Sequence, residues 1–384
     1  MGFIFWYGIE KLFMTNIGIS AVGVGISSAF FLATNLIFEI PSGIFADKWS
    51  RKGMLILSSV FLGLASILFG ISNGLYLYII GEILYGLYIS AMSGTYQALI
   101  YDILHEEKRQ DQYSKVAGKS FALFMFGSAI ADLSSGFLAN QIGFRLIFFI
   151  SVVSCLLNVF IILSICEPKF HKIKQKNNII PSLKKALIDI IKDNFLRSLA
   201  VIISVLAVMD LYKSEFGQLY FLRYVSSVQL MGILWAVYAL TWSLGSLIAH
   251  KFRTRLDGLV VFTVAPFIIM SFIDNWICIL LFMVNATASA ALINQVETRV
   301  QESTPSSIRT SVLSALTSVG RAISIPASFL IGWITLTYGA LWSVRFIATL
   351  GLVILIYWII SRRNINQKSE VSTVASPSIL EIVK

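Results

Sequence analysis

Long apolar segments follow one another along almost the whole chain. Twelve are read, at about residues 2–18, 20–46, 54–72, 75–103, 116–139, 143–166, 196–221, 228–250, 258–274, 276–300, 310–335 and 340–361. A helix rises 1.5 Å per residue, so ~20 apolar residues cross the ~30 Å hydrocarbon layer of a bilayer. Of the 384 residues 57% are apolar and only 13% charged, where soluble domains carry ~25% charge. Mean hydropathy is +0.80. A disordered chain, a disulfide scaffold and an ordinary cytosolic enzyme are thereby excluded. An outer-membrane barrel does not fit either, because its strands are alternating segments of about 10 residues. The expected fold is an all-α membrane protein with twelve transmembrane helices in two six-helix bundles.

Charge sets the expected orientation. The net charge is +10, which in a soluble protein suggests nucleic acid; here the basic residues mark loops that stay inside. With the first segment running outward, 24 of the 30 Lys and Arg fall in inside loops or the tail and two, Arg145 and Arg223, in outside loops. Both termini are therefore expected in the cytoplasm, in a multi-pass protein of the cell membrane without a nucleic-acid partner. The organisation read from this is an N-terminal bundle at 1–166, a basic linker at 167–195, a C-terminal bundle at 196–361 and a disordered Ser/Val-rich tail at 362–384. Within the linker, Ser182–Asn194 reads as an amphipathic surface helix. The first segment opens at Met1 with no polar lead-in and is interrupted by Glu10 and Lys11. It lacks the features of a signal peptide, and the expectation is that the chain begins inside its first span.

An internal repeat supports two halves. Gly136-x6-Gly143 recurs 196 residues later as Gly332-x6-Gly339, and Ala46-Asp47-Lys48-Trp49 recurs 203 residues later as Ala249-His250-Lys251-Phe252. The most specific motif is Gly43-Ile-Phe-Ala-Asp47-Lys48-Trp-Ser50-Arg51-Lys52. Physically, Gly43 is expected to permit close helix contact. Asp47 at the inner mouth can hold a neighbouring helix N-terminus or a basic side chain, and release it in another conformation. Simple positive-inside charge is the bland alternative.

This stretch resembles the loop between spans 2 and 3 of the major facilitator superfamily, Gly-x-x-x-Asp-(Arg/Lys)-x-Gly-(Arg/Lys)-(Arg/Lys), with Ser50 in place of the second Gly. Glu39-Ile-Pro41-Ser42-Gly43, Ser93-Gly94-x3-Leu99-Ile-Tyr101-Asp102 and Glu302-Ser-Thr-Pro305-x3-Arg309 are similar to bacterial efflux-type facilitators. The resemblance implies a secondary transporter working by alternating access, with Gly43, Asp47, Lys48, Arg51 and Lys52 as its gating loop and a monomer as the default state. Two departures set it apart from the common drug/proton antiporters: Glu82 stands where they carry an Arg in span 4, and span 5 has no Gly-Pro bend. The macrolide-efflux-like branch is the nearer likeness.

Ionisable residues inside a bilayer cost ~2.5–3.5 kcal/mol each on insertion scales, so they tend to be paired or functional. The candidates for proton coupling or substrate binding are Asp132, Glu82, Asp210, Glu215, Glu10 and Arg321. A carboxyl in a low-dielectric surrounding exchanges its proton nearer neutral pH, as coupling requires. Asp132 and Glu82 rank first, because cations are few at mid-depth in their spans. Structural pairing is the alternative for each: Asp210 and Lys213 are three apart, Lys11 can serve Glu10, and Arg321 can serve any of the acids. Trp6, Tyr85, Tyr88, Tyr212, Tyr220, Trp235, Tyr238 and Trp242 line a cavity or, more simply, pack and anchor.

The sequence carries no phosphate-binding Gly-Lys loop, and only His105, His171 and His250, so neither an ATP engine, a metal nor another cofactor is read. Cys155, Cys166 and Cys278 lie in apolar runs as packing residues. No nucleophile–base set supports an enzyme. The leading expectation is proton-coupled export of small hydrophobic or cationic compounds. An importer of a sugar, peptide or organic acid on the same fold, and a non-transporting or truncated membrane protein, are the alternatives.

Overall fold

The computed structural model describes residues 3–167, 186–188, 190–252, 256–304 and 309–374. The described residues form helices joined by short turns. After a 3-10 turn at Tyr7–Ile9 come α1 (Glu10–Asn16), α2 (Ala21–Lys48), α3 (Arg51–Ile71), α4 (Leu75–Met92), α5 (Thr95–Glu106), α6 (Tyr113–Ile142) and α7 (Phe144–Leu163). They are followed by α8 (Asn194–Leu211), a π-helical turn (Tyr212–Phe216), α9 (Gly217–Phe221), α10 (Val228–Ile248), α11 (Leu256–Met270), α12 (Ile277–Ser303), α13 (Arg309–Tyr338) and α14 (Ala340–Val374).

Ten helical stretches among the described residues are long and apolar enough to cross a membrane. Large apolar side chains point outward along them, as at Leu123, Phe160 and Ile360, which suits a lipid solvent rather than water. Two of the twelve expected spans fall short of that measure. The first is the seven-residue α1, ended by a turn in which Gly18 takes φ +81°. The ninth is the 15-residue α11, which rises only about 22 Å. The fourth expected span is two helices, α4 and α5, parted at Gly94 with φ +73°, a left-handed conformation that suits glycine. At the end of the chain α14 runs on to Val374, so the tail expected to be disordered from 362 begins as helix. Of the expected surface helix at Ser182–Asn194, residues 186–188 and 190–192 are helical and 182–185 and 189 lie outside the described residues.

The chain divides into two compact units. The first comprises Met1–Lys176, Leu211–Ser243 and Ser324–Ser343. In it α2, α3, α4 and α7 pack side by side, with Ser20 and Ser50 accepting from the amides of Gly23 and Gly53 to cap α2 and α3. Ser27, Ser28, Ser58, Ser59 and Ser90 return their hydroxyl protons to carbonyls one turn back, satisfying polar groups without water. Close backbone approaches gather at the helix ends remote from the Asp47 loop. A Cβ added at Gly25 would lie 2.4 Å from the carbonyl oxygen of Ser328, at Gly332 2.5 Å from that of Ala21, and at Gly232 2.8 Å from that of Asp132.

The second unit comprises Asn177–Asp210, Leu244–Ile323 and Val344–Lys384. There α11 and α12 pair, Gly245 lets α10 come against α12 so closely that a Cβ would meet the Thr287 carbonyl at 2.1 Å, and Trp358 donates to Asp257 at 2.6 Å.

Candidate functional site

The first unit encloses a buried ionic cluster built from segments far apart in sequence. The 3-10 turn and α1 place Glu10 and Lys11 inside the bundle, 4% and 2% exposed. Lys11 Nζ lies 3.0 Å from Glu10 Oε1 and 2.7 Å from Glu215 Oε2. Neither side chain reaches out to the surface: both are buried in the bundle. Tyr78 on α4 donates to Glu10 Oε1 at 2.8 Å. Ser28 on α2 sits 2.8 Å from Glu215 Oε2 and 2.9 Å from the Val24 carbonyl, so its one proton can serve either acceptor. Gln218 ties the backbone in place: Lys11 N–H donates to its Oε1 at 3.0 Å, and its Nε2 donates to the Tyr7 carbonyl at 2.8 Å.

Glu82 completes the set. It is one turn beyond Tyr78 on α4, 3% exposed, and shares the electrostatic field of Glu10, Lys11 and Glu215. Its Oε1 has no hydrogen-bond partner among the described residues. Ser28 and Glu82 each stand seven residues into their helices, which sets the cluster about 10 Å in from the remote ends. Aromatic rings adjoin it. Trp6, bonded to Ser66 at 3.0 Å, meets Tyr85 edge-on at 5.4 Å, and Tyr85 stacks on Phe31 at 5.2 Å. Three carboxyls thus share one ammonium in a buried setting, where a charge is costly unless it is paired.

Glu215 lies in the π-helical turn. In a regular helix residues two apart point in nearly opposite directions. Here Lys213, fully buried, lies with its ammonium 5.2 Å from the Trp242 ring while Glu215 turns to Lys11. A π turn inserts one residue into the helical register, and such turns recur at functional sites.

The remaining candidates lie elsewhere. Asp132 on α6 is 3% exposed, and the chain packs against it at Gly8, where an added Cβ would lie 3.1 Å from the Asp132 carbonyl oxygen. Asp210 and Arg321 belong to the second unit.

At the other end of the helices the expected gating loop is a second network. Arg51 donates to the Ala98 carbonyl at 2.9 Å, pairs with Asp102, and lies 3.2 Å from Asp47. The Asp102 carboxyl is 4% exposed and the Asp47 carboxyl 61%, so Asp102 is the buried partner. Lys52 Nζ closes on the Leu163 and Ile165 carbonyls at 2.7 and 2.8 Å. Ser50 caps α3 and donates to Glu167 at 2.7 Å, which gives the replaced glycine a use. Lys48 is exposed. The expected close contact at Gly43 is not found: a Cβ there would meet nothing within 4 Å, because this turn of α2 faces open space. Sequence reading passes over Tyr78, Gln218 and Glu167, common polar residues whose spacing carries no signal. Asp102 had been noted only as part of a resembling stretch.

These features define a multi-pass helical membrane protein with a charged site sealed inside its helices. The family model for the Major Facilitator Superfamily matches residues 1–325, and the chain belongs to that family, which is one of transporters and not of enzymes. Multidrug resistance protein 1 of Bacillus subtilis (strain 168) is 28% identical over 162 residues, 42% of this chain and 40% of that protein. Quinolone resistance protein NorB of Staphylococcus aureus (strain Newman) is 27% identical over 188 residues, 49% and 39%. An uncharacterized transporter of Buchnera aphidicola subsp. Schizaphis graminum (strain Sg) is 28% identical over 162 residues, 42% and 38%. The chain thus spans about two-fifths of the length of these relatives. In structure it is similar to a point mutant of the nucleoside transporter NupG, with TM-score 0.78, 14% identity and 93% and 96% of the two chains covered. It is also similar to the D-xylose-proton symporter, with TM-score 0.68, 13% identity and 91% of each covered. At these identities the likeness is one of fold.

Proposed function

We propose that the chain is a secondary transporter that exports small hydrophobic or cationic compounds in exchange for protons, by alternating access of two six-helix bundles at 1–166 and 196–361, in the cell membrane with both termini inside. The observation that carries this reading is the Lys11 ammonium held between Glu10 and Glu215. It joins the first segment to the π turn inside the membrane, with an unpartnered Glu82 oxygen in the same pocket. A link made of charge is sensitive to what neutralises it, so protons and solute can each bias the same equilibrium. Efflux relatives support the outward direction. Arg51, Asp102, Lys52 and Glu167 supply the inner latch that the loop motif implies, Gly43 and Lys48 flanking it. A monomer is the working unit.

The test is proton movement and dye accumulation in everted vesicles, for the chain as given and for Glu82→Gln and Asp132→Asn. Solute-driven proton release that disappears in Glu82→Gln and persists in Asp132→Asn supports antiport through the cluster. Loss in Asp132→Asn alone moves the coupling to α6. Inward solute movement coupled to protons replaces export with import, and absence of flux across a broad compound panel overturns the transporter reading of this chain.

A further inference from the structure

The lysine inside the cluster occupies the place a ligand would take. Its ammonium is a compact, strongly hydrated charge on a flexible four-carbon stem, which stays buried only where other groups replace its water. Two carboxylates do so here, at 3.0 and 2.7 Å. The backbone of the same residue is fixed separately, through Gln218, so the ammonium can leave by bond rotations without unseating α1. Acceptor capacity is left over: Glu82, 3% exposed, keeps an oxygen without a partner among the described residues. Beside it stand Tyr78, Tyr85, Trp6 and Phe31, and aromatic faces next to carboxylates attract organic ammonium groups.

We propose that Glu10, Glu215 and Glu82 form a binding site for a protonated amine, and that Lys11 is its built-in occupant in this conformation. A solute's ammonium enters by taking the lysine's place. An anion would meet an ammonium already paired with two carboxylates, and an uncharged solute would bring no charge to take the lysine's place between them. Because the Lys11–Glu215 pair also joins α1 to the π turn, replacing a tethered ammonium by a free one severs that link. Binding and release of the link are then one event. This consequence rests on the transporter reading; the binding itself does not.

The test is made on the purified full chain in detergent. In Lys11→Ala the slot is empty, and n-propylammonium restores the atoms from Cγ to Nζ. It is expected to raise the unfolding temperature of this variant with increasing dose, while n-propanol and propionate do not. Adding Glu215→Gln is expected to abolish the rise. Wild type should respond about tenfold more weakly or less, because a tethered occupant competes at high effective concentration. A folded Lys11→Ala that ignores the amine, or answers the alcohol or propionate equally, overturns the proposal, as does an equal response of wild type.

A second measurement needs no variant. Acylation of Lys11, read by mass spectrometry, is expected to rise in wild type when N,N-dimethylbenzylammonium is added, a tertiary amine that the reagent spares, and not with benzyl alcohol. Unchanged labelling overturns the proposal. Flux in vesicles is read independently. Both amine responses without flux support the site and overturn the transporter reading, whereas flux without either response does the reverse.

Discussion

Lys11 and Glu215 are held by each other's charge, and the consequence is asymmetric. Removing Lys11 strands two carboxylates in a low-dielectric interior, at a cost of roughly 3–5 kcal/mol, whereas removing Glu215 leaves Lys11 its other partner, Glu10, at 3.0 Å. Lys11→Met is therefore expected to lower stability in detergent by about that amount, Glu215→Gln by less, and the two together by less than their sum. A double-mutant cycle of unfolding free energies reads the coupling; additive losses would show that the 2.7 Å pair does not act as a unit. The Arg51 network gives a contrast within one arginine. Asp47→Asn touches a carboxyl that is 61% exposed and is expected to change stability by less than about 1 kcal/mol. Asp102→Asn removes the buried partner and is expected to cost about 3 kcal/mol or more. Comparing the two unfolding midpoints decides the order. Sequence alone singled out Asp47, because a loop acid beside three cations is visible in a linear motif. Asp102 is fifty residues away and its burial is set by how α5 packs.

At the scale of elements, the repeat seen in the sequence acquires a backbone meaning. Gly143 and Gly339 both follow a helix end with positive φ, +85° and +93°, where a side chain would be strained. Seven residues earlier, Gly136 and Gly332 each meet another backbone, at Gly232 and at Ala21. The recurrence thus preserves two physical demands, a left-handed turn and a side-chain-free crossing. Gly232→Leu is expected to force the remote ends of α6 and α10 apart. Spin labels at Gln141 and Ser226 report it as a longer, broader distance distribution than in wild type, and an unchanged distribution would mean the crossing adjusts around the leucine. The π turn has no sequence signal: nothing in Tyr-Lys-Ser-Glu-Phe distinguishes it from an α-helix.

For the molecule as a whole, the excess of Lys and Arg on one set of loops predicts the side on which the chain ends. Green fluorescent protein fused after Lys384 is expected to fluoresce in cells, and alkaline phosphatase at the same point to stay inactive. The reverse pair of results would invert the orientation and exchange inner and outer ends throughout. The network around Arg51, Lys52 and Glu167 would then face outward, while the glutamate cluster would remain about 10 Å from the opposite ends.

Hydropathy is local, and so the sequence by itself determined that the chain is helical, that it lies in a membrane, where most of its spans run and that Glu10, Glu82, Asp132 and Glu215 are inside them. It also carried the loop motif that points to the family. Span number was less legible, because α1 is only seven residues long and α11 is apolar without being long. Which acids act together was decided by tertiary structure alone. Glu10, Glu82 and Glu215 come to one lysine through the placement of two helices and one π turn, while Asp132, equally buried, lies against Gly8. Helix placement depends on contacts between residues up to two hundred positions apart, and a single sequence does not contain them.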